Sequence, residues 1–358
     1  MINVNKPYLP PLEKYTAYLD KIWESNILTN HGPLVAEMEH RLKNYLEAPN
    51  FLFLGNGTIA LQIAIKALGL KGEIITTPFS YVATTTAILW ENQTPVFADI
   101  EITSGNIDPL TIEKLITEKT SAILCTHVFG NPCNIEALEN IAKKNNLKLI
   151  FDSAHCFGTK FKGSSVYNYG DISMASFHAT KLFHTIEGGG LIMKDPFLYK
   201  KCLRMRNFGH VSPTEFDGLG INGKNSEYHA AMGLCVLDEM ETILQKRKKD
   251  WLHYYDKLKS TSLKFIEINK DSEFNYAYFP VFFKSETELN NMVSALNAVN
   301  IFPRRYFYPS LNKLSYIKNS SAPVSEDLAA RVLCLPLYHS ITENELNHVC
   351  STILNQVQ

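Results

Sequence analysis

The feature that most constrains the fold is a regular alternation of short apolar runs with amphipathic segments between residues 50 and 195. Short β-branched runs predict strands, and amphipathic segments predict helices. Their alternation is typical of a mainly parallel sheet with helices on both faces. The strand candidates are Glu73–Thr76, Pro95–Asp99, Ala122–His127, Lys148–Asp152, Ile172–Phe177 and Gly190–Lys194. The helix candidates are Thr58–Leu68, Tyr81–Trp90, Asp108–Ile116 and Asn134–Lys144.

The pattern changes towards the C-terminus. One long helical pattern covers Ser226–Leu258, and a mixed series of strands and helices follows it. The later candidates are strands at Lys264–Ile268, Tyr276–Phe283 and Arg331–Leu337, a helix at Glu286–Ala298 and a last helix after Thr342. A chain of 358 residues is long enough for two domains. We therefore predict an N-terminal segment and large domain over residues 1–250 and a small α+β domain over 251–358.

Composition narrows the class of function. A net charge of −1 gives no electrostatic reason to expect a nucleic-acid partner. No apolar run approaches the ~20 residues of a membrane span, and the N-terminus lacks the order of a signal peptide. The seven cysteines form no CxxC pair and the eleven histidines no HExxH, so we expect neither disulfides nor a metal. These features predict a cytoplasmic protein that does not bind membranes.

The segment GNGTIALQIAIKAL, residues 55–68, suggests an anion site. Small residues lead directly into a helix, where free backbone N–H groups and the helix dipole favour a phosphate. Thr58 adds a hydroxyl at this point. The segment lacks the ending of a Walker A loop, and taken alone it is more often a plain helix cap.

Two further segments supply a carboxylate and an aromatic ring. Asp152 ends an apolar strand, where open α/β sheets place their ligands, and a protonated pyridine nitrogen would be a suitable partner for it. The sequence fits equally well with an Asp152 that caps the turn after the strand. His155 can line the same pocket or fill the core, and Tyr81 can stack on a planar cofactor or pack internally.

Lys181 lies between an apolar strand and the glycines Gly188–Gly190, in SFHATKLFHTIEGGG. A lysine that is desolvated in a cleft loses basicity and becomes a nucleophile towards carbonyl carbons. We expect the glycines to turn the backbone away from a crowded site. A phosphate site, a carboxylate, an aromatic ring and such a lysine are together what pyridoxal 5′-phosphate requires.

The sequence resembles the sugar aminotransferase family named for DegT, DnrJ, EryC1 and StrS, a branch of the fold type I pyridoxal-phosphate enzymes. The resemblance extends from about residue 8 to the C-terminus. It implies an α/β large domain with a mainly parallel seven-stranded sheet flanked by helices and a smaller C-terminal α+β domain. The blocks that carry it include LTNHGP (28–33), GNGTIAL (55–61), TTPFSYVAT (76–84), FDSAHCFG (151–158), SFHATK (176–181), EGGG (187–190), GINGKNSEYHAA (220–231) and LCLPLYHSIT (333–342).

The resemblance assigns roles to individual residues. Lys181 would bind the cofactor covalently and then move a proton between the substrate carbon and the cofactor. Asp152 would pair with the ring nitrogen, Tyr81 would stack on the ring, and His155 would lie near the ring hydroxyl. The phosphate ligands would be Gly57, Thr58 and Ser176. Asn222 matches an asparagine that reaches the phosphate of the neighbouring subunit, which implies a homodimer with shared active sites.

The resemblance also bears on the substrate. The segment PRRYFYPSL, residues 303–311, matches a loop near the nucleotide sugar, so the candidate substrate residues are Arg304, Arg305, Tyr306 and Tyr308. Lysine at position 181 favours amination, because relatives with histidine there are dehydratases or deoxygenases. Two departures from the family pattern are Asn56, where serine or threonine is common, and Gly223, where an aromatic residue is usual.

The N-terminal segment LTNHGPLVAEME, residues 28–39, resembles members that act at C4 of the sugar. The similarity favours enzymes that form dTDP-4-amino-4,6-dideoxy-D-glucose with L-glutamate as the amino donor, in O-antigen or lipopolysaccharide biosynthesis. Amination at C3 of a dTDP-3-keto-6-deoxyhexose is the first alternative. A non-catalytic regulatory protein on the same fold is the second.

Overall fold

A computed structural model describes residues 1–318 and 320–357. The α-helices of this part of the chain, α1 to α12 in order, are Leu12–Ser25, Pro33–Tyr45, Gly57–Ala67, Val82–Trp90, Pro109–Ile112, Ile135–Lys144, Pro196–Met205, Glu227–Asp238, Met240–Leu258, Glu286–Ala298, Pro323–Arg331 and Glu343–Leu354. The strands, β1 to β15 in order, are Ile2–Asn3, Phe51–Leu54, Glu73–Thr76, Thr94–Phe97, Thr120–Thr126, Lys148–Asp152, Lys160–Phe161, Ser164–Ser165, Ile172–Ser176, Gly189–Ile192, Lys264–Phe265, Ser272–Glu273, Phe279–Phe282, Ile301–Phe302 and Val332–Leu335.

The central feature is a seven-stranded sheet in the order β2-β10-β9-β6-β5-β3-β4. Strands β9, β6, β5, β3 and β4 are parallel to one another, whereas β10 is antiparallel to both of its neighbours. Parallel strands need crossover connections, and helices provide them here. The predicted α/β class with a mainly parallel seven-stranded sheet is confirmed.

The sheet is buried on both faces, which explains its unbroken apolar runs. In β5, Leu124 belongs to the core beneath α3, α4 and α7, whereas its neighbour Ile123 belongs to the core beneath α2, α6 and α8. Successive side chains point to opposite faces of a strand, so one run serves both layers. The polar residues Thr126, Asp152 and Ser176 are the last residues of β5, β6 and β9, and all three line the site.

Several elements differ from the sequence prediction, among them the helices α1, α2, α7 and α11, which were not among the candidates. Strand β2 was not among the strand candidates, although its four residues are all buried. The single helical pattern over Ser226–Leu258 is two helices, because Glu239 leaves helical geometry at φ −103° and ψ 3°. The helical pattern continues through residues 238–240, so the sequence does not show that α8 lies within the core while α9 passes to another layer.

The C-terminal part has its own three-stranded sheet, β11-β13-β15, and an apolar core that also includes Phe79, Ile100, Val128 and Phe129. Helices α9, α10 and α12 contribute to that core, and β1 pairs in parallel with β14, so the first residues of the chain join this part. The predicted boundary at residue 250 falls within α9. The two domain ranges stay a prediction.

The helices of residues 1–318 and 320–357 include none with the length and apolar character needed to cross a membrane.

Candidate active site

A cavity of about 240 Å³ opens at the carboxyl ends of the parallel strands, the usual ligand position in open α/β sheets. It brings together residues that are far apart in sequence. The predicted residues that line it are Gly57, Thr58, Tyr81, Asp152, His155, Ser176, Lys181, Arg304 and Tyr306. The predicted residues Asn222, Arg305 and Tyr308 lie outside its lining.

Asp152 is the last residue of β6, and only 4% of it is exposed. Its Oδ2 accepts a hydrogen bond of 2.7 Å from the Thr84 hydroxyl, and its Oδ1 accepts one of 3.1 Å from the Ala154 N–H. Burial raises the pKa of Asp152, while these two donors and the charge of Lys181 lower it. The carboxylate is therefore desolvated but held by a donor on each oxygen.

Lys181 follows the end of β9, in a turn closed by the hydrogen bond of 2.8 Å from its N–H to the His178 carbonyl. Burial lowers the pKa of Lys181 to about 8, although the charge of Asp152 acts in the opposite direction. A surface lysine keeps its proton at neutral pH, whereas this amino group is partly neutral there. The site thus provides a nucleophilic amine.

The first turn of α3 forms one wall. The Asn56 side chain accepts a hydrogen bond of 2.8 Å from the Ile59 N–H, so it caps the helix, and Thr58 is exposed to the cavity. A Cβ atom on Gly57 would lie 3.2 Å from the Cβ of Ser176, which closes the wall on that side. Helix N-termini with free N–H groups favour anions. The wall suits a phosphate.

The glycines after Lys181 do not form the expected turn. Gly189 begins β10, and a Cβ atom there would lie 2.5 Å from the carbonyl carbon of Asn56. Only glycine allows this close approach, so the expectation that these residues turn the backbone away was wrong. They let β10 pack directly beneath the start of α3.

His155 and Tyr81 supply rings to the cavity. The Nδ1 of His155 accepts a hydrogen bond of 3.2 Å from the Phe129 N–H, and burial lowers the pKa of the ring well below its usual range. The neutral ring therefore carries its proton on Nε2. Tyr81 precedes α4 and is 55% exposed, which leaves a ring surface free in the cavity.

The loop over residues 303–311 divides its polar side chains between two faces. Arg304 lines the cavity, with its guanidinium carbon 5.0 Å from the ring centre of Tyr306. Arg305 instead donates a hydrogen bond of 2.7 Å to Glu286, and its guanidinium lies over the Tyr308 ring at 3.5 Å. Only the first pair faces the cavity.

Asn222 is exposed and forms an isolated antiparallel bridge with Asn207. Its loop is fixed beside the start of α3, since the Gly55 N–H donates a hydrogen bond of 2.9 Å to the Gly223 carbonyl. The asparagine therefore lies on the outer surface next to this cavity rather than in it.

Sequence reasoning missed three buried hydroxyls behind Asp152. Thr84, Ser80 and Thr126 form a hydrogen-bonded series that ends on its carboxylate. One signal existed, because Thr126 ends β5 and pairs in register with Asp152 at the end of β6. The aromatic residues Tyr278 and Phe307, which also line the cavity, were missed as well.

The residues present fit pyridoxal 5′-phosphate. The start of α3 and Ser176 suit its phosphate, and Lys181 offers an amine of lowered pKa. The buried Asp152 carboxylate has no cationic partner within ion-pair distance among the described residues. A buried carboxylate without a cation is costly, and a protonated ring nitrogen would supply the missing charge.

Residues 12–354 match the DegT/DnrJ/EryC1/StrS aminotransferase family. The chain is 40% identical over 364 residues to a dTDP-4-amino-4,6-dideoxy-D-glucose transaminase of Shigella dysenteriae, covering 98% of both chains. It is 37% identical over 370 residues to an Escherichia coli protein of the same name, covering 99% of both. Among solved structures, it is similar to DesI crystallised in the presence of its TDP-sugar product, with a TM-score of 0.93, 31% identity, and coverage of 98% of this chain and 92% of that one.

Proposed function

Because the chain belongs to the DegT/DnrJ/EryC1/StrS aminotransferase family, we propose that it converts dTDP-4-keto-6-deoxy-D-glucose to dTDP-4-amino-4,6-dideoxy-D-glucose. The chain is a pyridoxal-phosphate-dependent aminotransferase, and L-glutamate is the proposed donor. The observation that carries the proposal is the full-length similarity to two enzymes named for that product. The product is an activated amino sugar, which suits the proposed place in O-antigen or lipopolysaccharide biosynthesis.

When bound, pyridoxal phosphate supplies an electron-withdrawing ring through which an amino group passes from donor to acceptor. The proposed role of Asp152 is to hold the ring nitrogen in its protonated form, since an ionised carboxylate favours a nearby cation. The support for this role is its burial and the donors on both of its oxygens. Asp152 would thus maintain the positive charge on the ring nitrogen, and that charge draws electrons away from the reacting carbon.

Lys181 is proposed to anchor the cofactor and then to carry the proton. Its lowered pKa gives a neutral amine that can move a proton between the substrate carbon, which is the α-carbon of glutamate or C4 of the sugar, and the cofactor. A base with a pKa near the working pH is effective in both directions. A histidine could also move a proton near neutral pH, but only a lysine can also form the covalent attachment.

The remaining cofactor contacts are proposed from the cavity walls. Gly57, Thr58 and Ser176 bind the phosphate at the start of α3, and Tyr81 covers one face of the ring. His155 carries its proton on Nε2, so it can donate a hydrogen bond to the oxygen of the ring hydroxyl.

Arg304 and Tyr306 are the residues of the 303–311 loop that we propose to face the substrate. The guanidinium of Arg304 has no carboxylate partner within ion-pair distance among residues 1–318 and 320–357, and it lines the cavity. A nucleotide sugar brings a diphosphate and glutamate brings carboxylates, and both are anions that arginine recognises well.

We further propose a cytoplasmic homodimer in which Asn222 reaches the phosphate site of the partner. Exposed apolar side chains surround its loop, a feature of surfaces that bind a partner. They are Phe208, Val211, Phe216, Leu219 and Ile221. All seven cysteines are free thiols, which suits a reducing compartment.

A substrate comparison tests the proposal. The purified enzyme, saturated with cofactor and glutamate, is given dTDP-4-keto-6-deoxy-D-glucose or its 3-keto isomer. We expect the 4-keto sugar to have much the higher kcat/KM. Turnover of the 3-keto isomer alone would support the C3-aminating alternative and overturn the proposal.

A further inference from the structure

Three buried hydroxyl groups lie in a row behind Asp152. The Thr126 and Ser80 hydroxyl oxygens are 2.8 Å apart, as are those of Ser80 and Thr84, and Thr84 donates to Oδ2 of Asp152 at 2.7 Å. At most 2% of any of the three residues is exposed. The row joins the end of β5, the turn before α4 and the end of β6.

The ionised carboxylate fixes the direction of every hydrogen bond in the row. A carboxylate only accepts, so Thr84 must give its single hydroxyl hydrogen to Asp152. The Thr84 oxygen then accepts from Ser80, and the Ser80 oxygen accepts from Thr126. All three hydrogens point towards Asp152, an arrangement that strengthens each bond in a low-dielectric interior.

We propose that Thr84 is a positioning residue, which, supported by Ser80 and Thr126, keeps the Asp152 carboxylate ionised and fixed in orientation. The proposal rests on the proposed function only in that Asp152 serves the cofactor ring. Thr84 itself does not line the cavity, so it acts through Asp152 and not on the substrate. Ala154 holds the other carboxylate oxygen through a backbone N–H that no side-chain change removes.

The same helix contains a matched control. Thr85 follows Thr84 in α4 and is likewise fully buried, but its hydroxyl has no hydrogen-bond partner among the described residues. Thr84→Val and Thr85→Val therefore make the same chemical change at adjacent buried positions. Only the first removes a donor to a charged group.

The experiment measures the dissociation constant of pyridoxal phosphate for the cofactor-free form of each variant. We expect Thr84→Val to weaken cofactor binding about tenfold to a hundredfold, the effect of losing a hydrogen bond to a charged acceptor. Thr85→Val should bind like the parent, and Thr84→Ser should restore binding because it keeps the hydroxyl. In turnover, Thr84→Val should lower kcat and leave KM for the nucleotide sugar unchanged.

Equal dissociation constants for Thr84→Val and Thr85→Val would overturn the proposal, as would a Thr84→Ser variant as weak as Thr84→Val. If Thr84→Val does not fold, Thr84→Ala is compared with Thr85→Ala, and equal dissociation constants for these two variants would overturn the proposal. Cofactor binding does not depend on the sugar. If the enzyme does not turn over the proposed sugar, the comparison of cofactor dissociation constants therefore still tests the role of Thr84.

Discussion

Lys181 and Asp152 line the same cavity, and the charge of each favours the ionised form of the other. Burial acts against both charges, since it lowers the pKa of Lys181 to about 8 and raises that of Asp152. With its pKa lowered to about 8, Lys181 exchanges its proton near neutral pH. The neutral form of the Lys181 amine is needed to bond to a carbonyl carbon, and the exchange between its neutral and protonated forms is needed to carry a proton.

The first prediction concerns the titration of Lys181. Only a neutral amine reacts with an acylating reagent, so labelling of the cofactor-free protein should reach half its maximum near pH 8. Lys162 is a comparison within the same chain, because its hydrogen bond with Glu136 raises its pKa above the ordinary 10.5. Mass spectrometry of both peptides across pH measures the difference. Identical pH profiles would contradict the desolvation of Lys181.

The second prediction concerns the charge of Asp152. Asp152→Asn keeps an oxygen acceptor but removes the anion, so the protonated ring nitrogen would lose its partner. We expect kcat to fall about a hundredfold or more, with some cofactor retained. Asp171→Asn is the control, because the Asp171 carboxylate accepts a hydrogen bond from the Leu149 N–H of β6 but lies outside the cavity. Parental turnover in Asp152→Asn would refute the proposed role.

The third prediction separates two neighbouring arginines. Arg304→Ala should raise KM for the nucleotide sugar or for glutamate, since this guanidinium faces the cavity. Arg305→Ala should leave both KM values unchanged and lower the free energy of unfolding by about 1–3 kcal/mol, because it loses bonds to Glu286 and the Ala330 carbonyl. Steady-state kinetics and urea unfolding distinguish them. The reverse assignment of effects would show that Arg305 binds the substrate.

The fourth prediction tests the shared site. Lys181→Ala and Asn222→Ala should each fold, the first without transamination and the second with weakened cofactor binding. If Asn222 serves the partner, a mixed dimer of the two variants contains one complete site and one that lacks both groups. Activity should therefore reappear on mixing, up to half that of the parent per dimer. No recovery in a verified mixed dimer would mean that Asn222 serves its own subunit.

Much of the site could be predicted because its residues follow strand ends. Asp152 and Lys181 each come after a buried apolar run, and parallel strands bring such positions to one edge. Within the Thr84 series only Thr126 ends a strand, whereas Ser80 and Thr84 lie before and within α4, and their hydrogen bonds to one another and to Asp152 appear only in the folded protein.

Other features were decided by tertiary packing. Arg304 and Arg305 are adjacent and chemically identical. The Arg304 backbone pairs with Cys334, and successive side chains of a paired extended segment point to opposite sides, so one guanidinium faces the cavity and the other does not. The glycines of EGGG indicate backbone freedom, but they do not reveal that Gly189 meets the start of α3. Residue type predicts local backbone conformation, whereas the direction of the arginine side chains and the contact of Gly189 depend on the segments that pack against them.

The position of the nitrogen atom in the product is the sharpest test of the proposal that the enzyme aminates C4 of the sugar. The enzyme is incubated with dTDP-4-keto-6-deoxy-D-glucose and glutamate labelled isotopically at nitrogen, and the isolated sugar is analysed by NMR. We predict labelled nitrogen bonded to C4 of a dTDP-4-amino-4,6-dideoxy-D-glucose. Labelled nitrogen at C3, or a product that contains none, would contradict it.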